Sequence, residues 1–201
     1  MSNTYWHFIR RDCCLGHDDG RQVVVGETLT HDGKLEMCQS GLHASSNIMD
    51  ALCYAPGPVI CCVEMRGQVI KGNDKAIASE RYCKWMLTAD QSEQVLKHFA
   101  RWCALQVVHF WDAPQVVTDY LLTGDESIWE AARAAAWEAA REAAWEATWE
   151  AAREAARATI RAAVRAAQSH KLVELATIMH ETGTLPTMQM PKNNTKGTTS
   201  R

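Results

Sequence analysis

Gly41-Leu42-His43-Ala44-Ser45-Ser46-Asn47-Ile48-Met49-Asp50-Ala51-Leu52-Cys53-Tyr54, with the apolar run Pro58–Met65 just behind it, is the stretch on which the reading of this chain turns. A loop closes on a glycine, a short helix opens at about Ser46, and Pro56-Gly57-Pro58 stops it. That helix carries Ile48, Ala51 and Leu52 on one side. Pro58–Met65 is apolar almost throughout, as expected of a central strand buried on both faces. A loop, a helix and a buried strand in this order make the wall of a pocket.

The segments around it extend the pattern. Tyr5–Ile9 alternates as a first strand with His7 and Ile9 on one face. Asp32-Gly33 between Thr28–Thr30 and Lys34–Met37 predicts a tight hairpin. Arg66-Gly67 is read as a turn from the central strand into a partner at Gln68–Lys71, and Gly72-Asn73-Asp74 as the next turn. Ser79–Leu87 fits another strand, with a helix as the alternative. From Gln91 to about Phe110 the apolar residues recur at helical spacing, Asp112-Ala113-Pro114 ends the run, and a second helix over Gln115–Leu122 stops at Thr123-Gly124. The fold class expected is α+β: a small mixed or antiparallel sheet, then helices, then one long alanine-rich helix. Four segments follow: a pocket domain over 1–88, covering helices over 89–124, a repeat and amphipathic helix over 125–182, and a polar tail over 183–201 expected to be disordered.

Asp125–Gln168 is the most regular stretch, built on the unit [W/R]-E-A-A. Alanine is the best helix former, and Glu130 with Arg133, Glu138 with Arg141, and Glu150 with Arg153 are favourable pairs three residues apart. An unbroken helix would run about 65 Å at ~1.5 Å per residue. A period of four on a helix of ~3.6 residues per turn makes the Trp/Arg stripe wind around it, which disfavours a straight two-stranded zipper. Other self-association through 125–168 stays open. Arg153, Arg157, Arg161 and Arg165 recur every four residues. They complement the helix dipole or, as the sharper alternative, offer a patch for nucleic acid or another anion. Lys171–Glu181 is amphipathic through Leu172, Leu175, Ile178 and Met179.

Composition narrows the function classes. The 201 residues are 47% hydrophobic and 22% charged, as in a globular protein. The net charge of −3 gives no general attraction to nucleic acid or an anionic membrane. No apolar run approaches the ~18 residues that a membrane span needs, and no leader pattern stands at Met1–Arg10, so the protein is expected in the cytoplasm. The eight cysteines contain no C-x-x-C and are read as reduced. Cys13, Cys14 and His17, or His31, Cys38 and His43, lack a recognised ligand spacing, so no metal is expected. There is no Walker loop, no G-x-G-x-x-G and no G-x-S-x-G.

Three pieces of the first 85 residues resemble the ADP-ribosyltransferase superfamily, particularly its poly(ADP-ribose) polymerase-like branch. Trp6-His7-Phe8-Ile9-Arg10 resembles the family strand whose histidine bonds the ribose of NAD, which implies that role for His7. The stretch from Gly41 is similar to the family's G-[I/L]-Y-F-A segment and following helix. Tyr54 lies eleven residues beyond His43, as the nicotinamide-stacking tyrosine lies beyond the family's first one. At His43 an imidazole replaces the usual phenol. Val59–Val63 and Gln68–Ile70 look like the paired strands that come next, and Glu80 is the best match for the catalytic carboxylate, with Glu64 as a rival. The resemblance implies NAD as substrate, Gly41, His43, His7 and Tyr54 around it, and Glu80 stabilising the oxocarbenium-like transition state.

The whole chain also resembles an uncharacterised family of bacteriophage and prophage proteins with similar G-L-H-A-S and Y-A-P-G-P segments and an Ala/Trp/Arg tail. That likeness implies the cytoplasm of a bacterial host. Two classes of function follow: an ADP-ribosyltransferase acting on a host macromolecule, or a non-catalytic accessory protein that binds a nucleotide or host protein. The residues also have purely structural readings. In those readings His7 is a solvent-facing strand residue, Tyr54 a core aromatic under the proline turn, and Glu80 a surface charge.

Overall fold

The computed structural model describes residues 4–16, 19–110, 112–146 and 154–191. The fold is α+β, with an antiparallel five-stranded sheet and helices. The strands are β1 (Tyr5–Ile9), β2 (Thr28–Thr30), β3 (Leu42–Ala44), β4 (Val59–Lys71) and β5 (Ala76–Met86). The helices are α1 (Ile48–Cys53), α2 (Ala89–Val107), α3 (Gln115–Thr123), α4 (Trp129–Glu146) and α5 (Glu154–Thr182). The chain forms two compact units, one from residues 1–99 with 155–185 and the other from 100–154 with 186–201.

In the first unit β4 is central, paired with β1 on one side and β5 on the other. β5 in turn carries β3 along Ala76–Ala78 and β2 along Glu80–Tyr82, so two short strands share its outer edge. The sheet curls until its ends meet. Ser45, just past β3, exchanges both backbone hydrogen bonds with Trp6 of β1, at 2.7 and 2.9 Å. Val59, Cys61, Val63 and Met65 of β4 alternate into the main core with Tyr5 and Ile9 of β1.

On the other side of the sheet, Trp85 meets Trp6 edge-on at 5.6 Å and stacks on His180 of α5 at 4.4 Å. Leu172, Leu175, Ala176 and Met179 of α5 are fully buried at three- and four-residue spacing. Ser92 of α2 accepts the Ile60 N–H in its buried hydroxyl oxygen, at 3.1 Å. The second unit has a core of its own, in which Leu105 and Val108 pack with Val117 and Leu121 of α3 and with Met188.

The structure corrects three local expectations. β2 does not turn back on Lys34–Met37. The two-residue turn expected at Asp32-Gly33 requires positive φ, and neither residue has it. The tight turn falls instead at Cys38, with φ of 66°, between the bridged Glu36 and Ser40. Arg66-Gly67 is a bulge within one continuous strand: β4 pairs Arg66 with Glu80 and Val69 with Ala78, so β4 has one residue more than β5 there. The helix α1 begins at Ile48, because Asn47 caps it by accepting the Met49 N–H in its side chain at 2.8 Å. Lys171–Glu181 continues the helix as expected, within α5.

The continuity of the repeat helix falls on residues 147–153, outside the described residues, as do Arg153 and most of the polar tail.

Candidate functional site

A cavity of about 500 Å³ opens inside the curled sheet of the first unit. β1 supplies Trp6 and His7, the Cys38–Ser45 stretch a second wall, and β5 contributes Arg81. Ala51 of α1 with Tyr54 and Pro56 behind it close another side. His7, Gly41, His43 and Tyr54 therefore come together around one space, although 47 positions separate the first from the last. Pairing of β1 with β4, and of β3 with β5, brings them there.

Gly41 has φ of 115°, a conformation that side chains rarely adopt, and a Cβ there would lie 2.9 Å from Leu35 Cδ2. The backbone thus lies closely against Leu35 as it enters β3. His43 is held by its own loop. The Cys38 N–H donates to Nε2 at 3.2 Å, so Nε2 carries the lone pair and Nδ1–H donates to the Gly41 carbonyl at 3.0 Å. This imidazole fixes the turn with both nitrogens.

His7 lies deeper. Burial first, then the charge of Arg81 and the neighbouring His43, push its pKa well below the ordinary 6.5, so it is neutral at pH 7. Tyr54 stands at the rim, 51% exposed. Its hydroxyl donates to Asp74, and the Lys75 ammonium sits over the ring, 3.9 Å from the centroid.

Glu80 is not among the lining residues. Side chains alternate along β5, so when Arg81 faces the cavity Glu80 and Tyr82 face the other way. Glu80 lies over the β4 bulge, where its Oε1 is 3.4 Å from the Cβ position of Gly67. Glu64, paired with Tyr82 in register, shares that outer face and forms an ion pair with Arg66 at 3.1 Å. Neither carboxylate lines the cavity.

The sequence did not single out the cavity's charged residues Asp19, Arg21, Lys75 and Arg81. Asp19 grips Arg21 through both oxygens, at 2.6 and 2.7 Å, and that guanidinium holds the Asp19 carboxyl below the usual range. Arg21 also donates to the Thr30 carbonyl at 2.6 Å. Arg81 is only 3% exposed. Burial lowers its pKa to about 10, which leaves it fully charged at neutral pH. Its Nη1 donates to the His43 carbonyl at 2.5 Å, while its buried Nη2 has no hydrogen-bond partner. Among the described residues one carboxylate thus faces three cationic side chains, and that carboxylate is already taken by one of them.

No group of described residues is arranged to hold a metal ion, and no described helix is long and apolar enough to cross a membrane. No curated protein and no solved structure matches the chain. Residues 6–95, which include every residue lining the cavity, match the family described as Domain of unknown function (DUF7666).

Proposed function

We propose that the cavity binds an anionic nucleotide-class ligand, NAD or its ADP-ribose portion, and that the chain works as a nucleotide-binding accessory protein. The observation that carries this reading is the meeting of His7, Gly41, His43 and Tyr54 in one cavity whose described charged lining is cationic apart from Asp19. A volume of about 500 Å³ suits a ligand of that size, enclosed in part, and an exposed aromatic ring at the mouth offers a base one free face. Lys75 covers the other face. The phosphates carry the charge that the cationic lining attracts.

Binding without transfer is the better-supported form of this proposal, since among the described residues no carboxylate except the Arg21-bound Asp19 borders the space where a ribosyl cation would develop. The likeness to phage and prophage chains makes a host protein or host nucleotide pool the natural target of such an accessory protein.

Calorimetric titration with NAD and with ADP-ribose tests the reading. At least one should bind, and Tyr54→Ala should weaken it by roughly 5- to 100-fold, the scale of one base–aromatic stack. Glu80→Ala should leave the affinity unchanged and release no nicotinamide. If neither compound binds the wild-type protein, the nucleotide reading is wrong. Nicotinamide release that stops in Glu80→Ala would establish the transferase alternative.

A further inference from the structure

We propose that Arg81 anchors the anionic group of the cavity's ligand, and that this group is a phosphoryl oxyanion. The choice of phosphoryl over carboxylate rests on the nucleotide reading above; the anchor itself does not.

An arginine presents five N–H donors in a rigid fork and cannot shed its charge at neutral pH, so a buried one is ordinarily surrounded by acceptors. Arg81 is buried to 97% and lines the cavity, yet it keeps one bond, from Nη1 to the His43 carbonyl, while its buried Nη2 is left unpartnered. Asp19, the described carboxylate that lines the cavity, makes no hydrogen bond to Arg81 and gives both oxygens to the Arg21 guanidinium. An uncompensated buried cation opposes folding. A site of this kind is relieved when an anion enters and accepts from Nη2.

The surroundings favour the same ligand group. His7 is uncharged and supplies a ring nitrogen beside Arg81 without cancelling its charge. Lys75, at the mouth, adds a second positive charge along the way in. The cavity exceeds the size of a bare inorganic ion, so the oxyanion is one part of a larger molecule, with the remainder directed towards Tyr54.

The test uses the full chain and inorganic pyrophosphate, with malonate at matched ionic strength as the dicarboxylate control. Thermal unfolding reads binding, and the His7 ring resonances in NMR report whether it occurs in the cavity. Pyrophosphate should raise the wild-type midpoint and shift the His7 signals, with malonate much weaker. Arg81→Met should melt at or above the wild-type temperature, having lost an uncompensated charge. It should bind pyrophosphate roughly 10- to 100-fold less tightly, the scale of a charged hydrogen bond, with Arg81→Lys between the two.

No pyrophosphate response in the wild type, or an equal response in Arg81→Met, overturns the anchor. Malonate matching pyrophosphate overturns the phosphoryl assignment. If Arg81→Met fails to fold, Arg81→Lys and the wild-type His7 shifts decide. Pyrophosphate binding that requires Arg81, with no response to NAD or ADP-ribose, keeps the anchor and sinks the nucleotide reading. NAD or ADP-ribose binding that is unchanged in Arg81→Met does the reverse.

Discussion

Burial and the charge of Arg81 keep His7 unprotonated, and this couples the cavity to pH. The sign follows from proton counts. Below the ordinary imidazole value of 6.5 the unfolded chain takes up a proton that the folded chain refuses, so stability falls as pH drops from 6.5 towards the lower folded pKa. The slope is at most about 1.4 kcal/mol per pH unit for one such group. Denaturant unfolding between pH 7.5 and 5 should show this loss, and His7→Gln should flatten it; an unchanged slope in the variant would assign the effect elsewhere. His7, Gly41, His43 and Tyr54 were legible in the sequence through the resemblance of their segments to ADP-ribosyltransferase motifs. Arg81 was not. In Ser79-Glu80-Arg81-Tyr82 an arginine beside a glutamate reads as a surface pair, since charged side chains are seldom buried. Only the pairing of Arg81 with Met65 of β4 fixes which of the two neighbours faces inwards.

At the scale of elements, the same logic explains what pattern alone resolves. Apolar periodicity marks β1, α2, α3 and the amphipathic end of α5 well, because each follows from residues close in sequence. The β4 bulge and the partner of β2 were misread because both are settled at a distance. A glycine after a charged residue suits a turn or a bulge equally, and β5, arriving later in the chain, takes the place beside β4 that a local hairpin would have filled. Gly67 adopts φ of 67°, and a Cβ there would lie 2.2 Å from the Ser79 hydroxyl oxygen, which accepts the Gln68 N–H at 2.9 Å. Gly67→Ala should therefore destabilise the protein by about 2 kcal/mol in urea unfolding, since the left-handed backbone alone costs about 1–2 kcal/mol for an alanine. A change below about 0.5 kcal/mol would mean that the bulge rearranges freely.

The first unit of the whole molecule is assembled from two separated lengths of chain, 1–99 and 155–185. Arg165 of α5 pairs with Asp50 of α1 at 2.5 Å, Ser169 bonds the capping Asn47 at 3.0 Å, and His180 stacks on Trp85. A chain truncated after residue 154 loses these contacts together with four fully buried side chains. It should lose cooperative unfolding, and a synthetic peptide spanning 155–185 should restore it when added in trans; cooperative unfolding of the truncated chain would show that the sheet needs no α5. The segment matched to a family, 6–95, lacks that helix too. The arrangement also imposes an order in time. A ribosome adding about 5–20 residues per second takes on the order of 5–15 s to travel from residue 99 to residue 185. Throughout that interval the newborn sheet waits for its helix with Trp85 uncovered by His180, and these are the seconds in which a chaperone would find it or a neighbouring chain would stick to it.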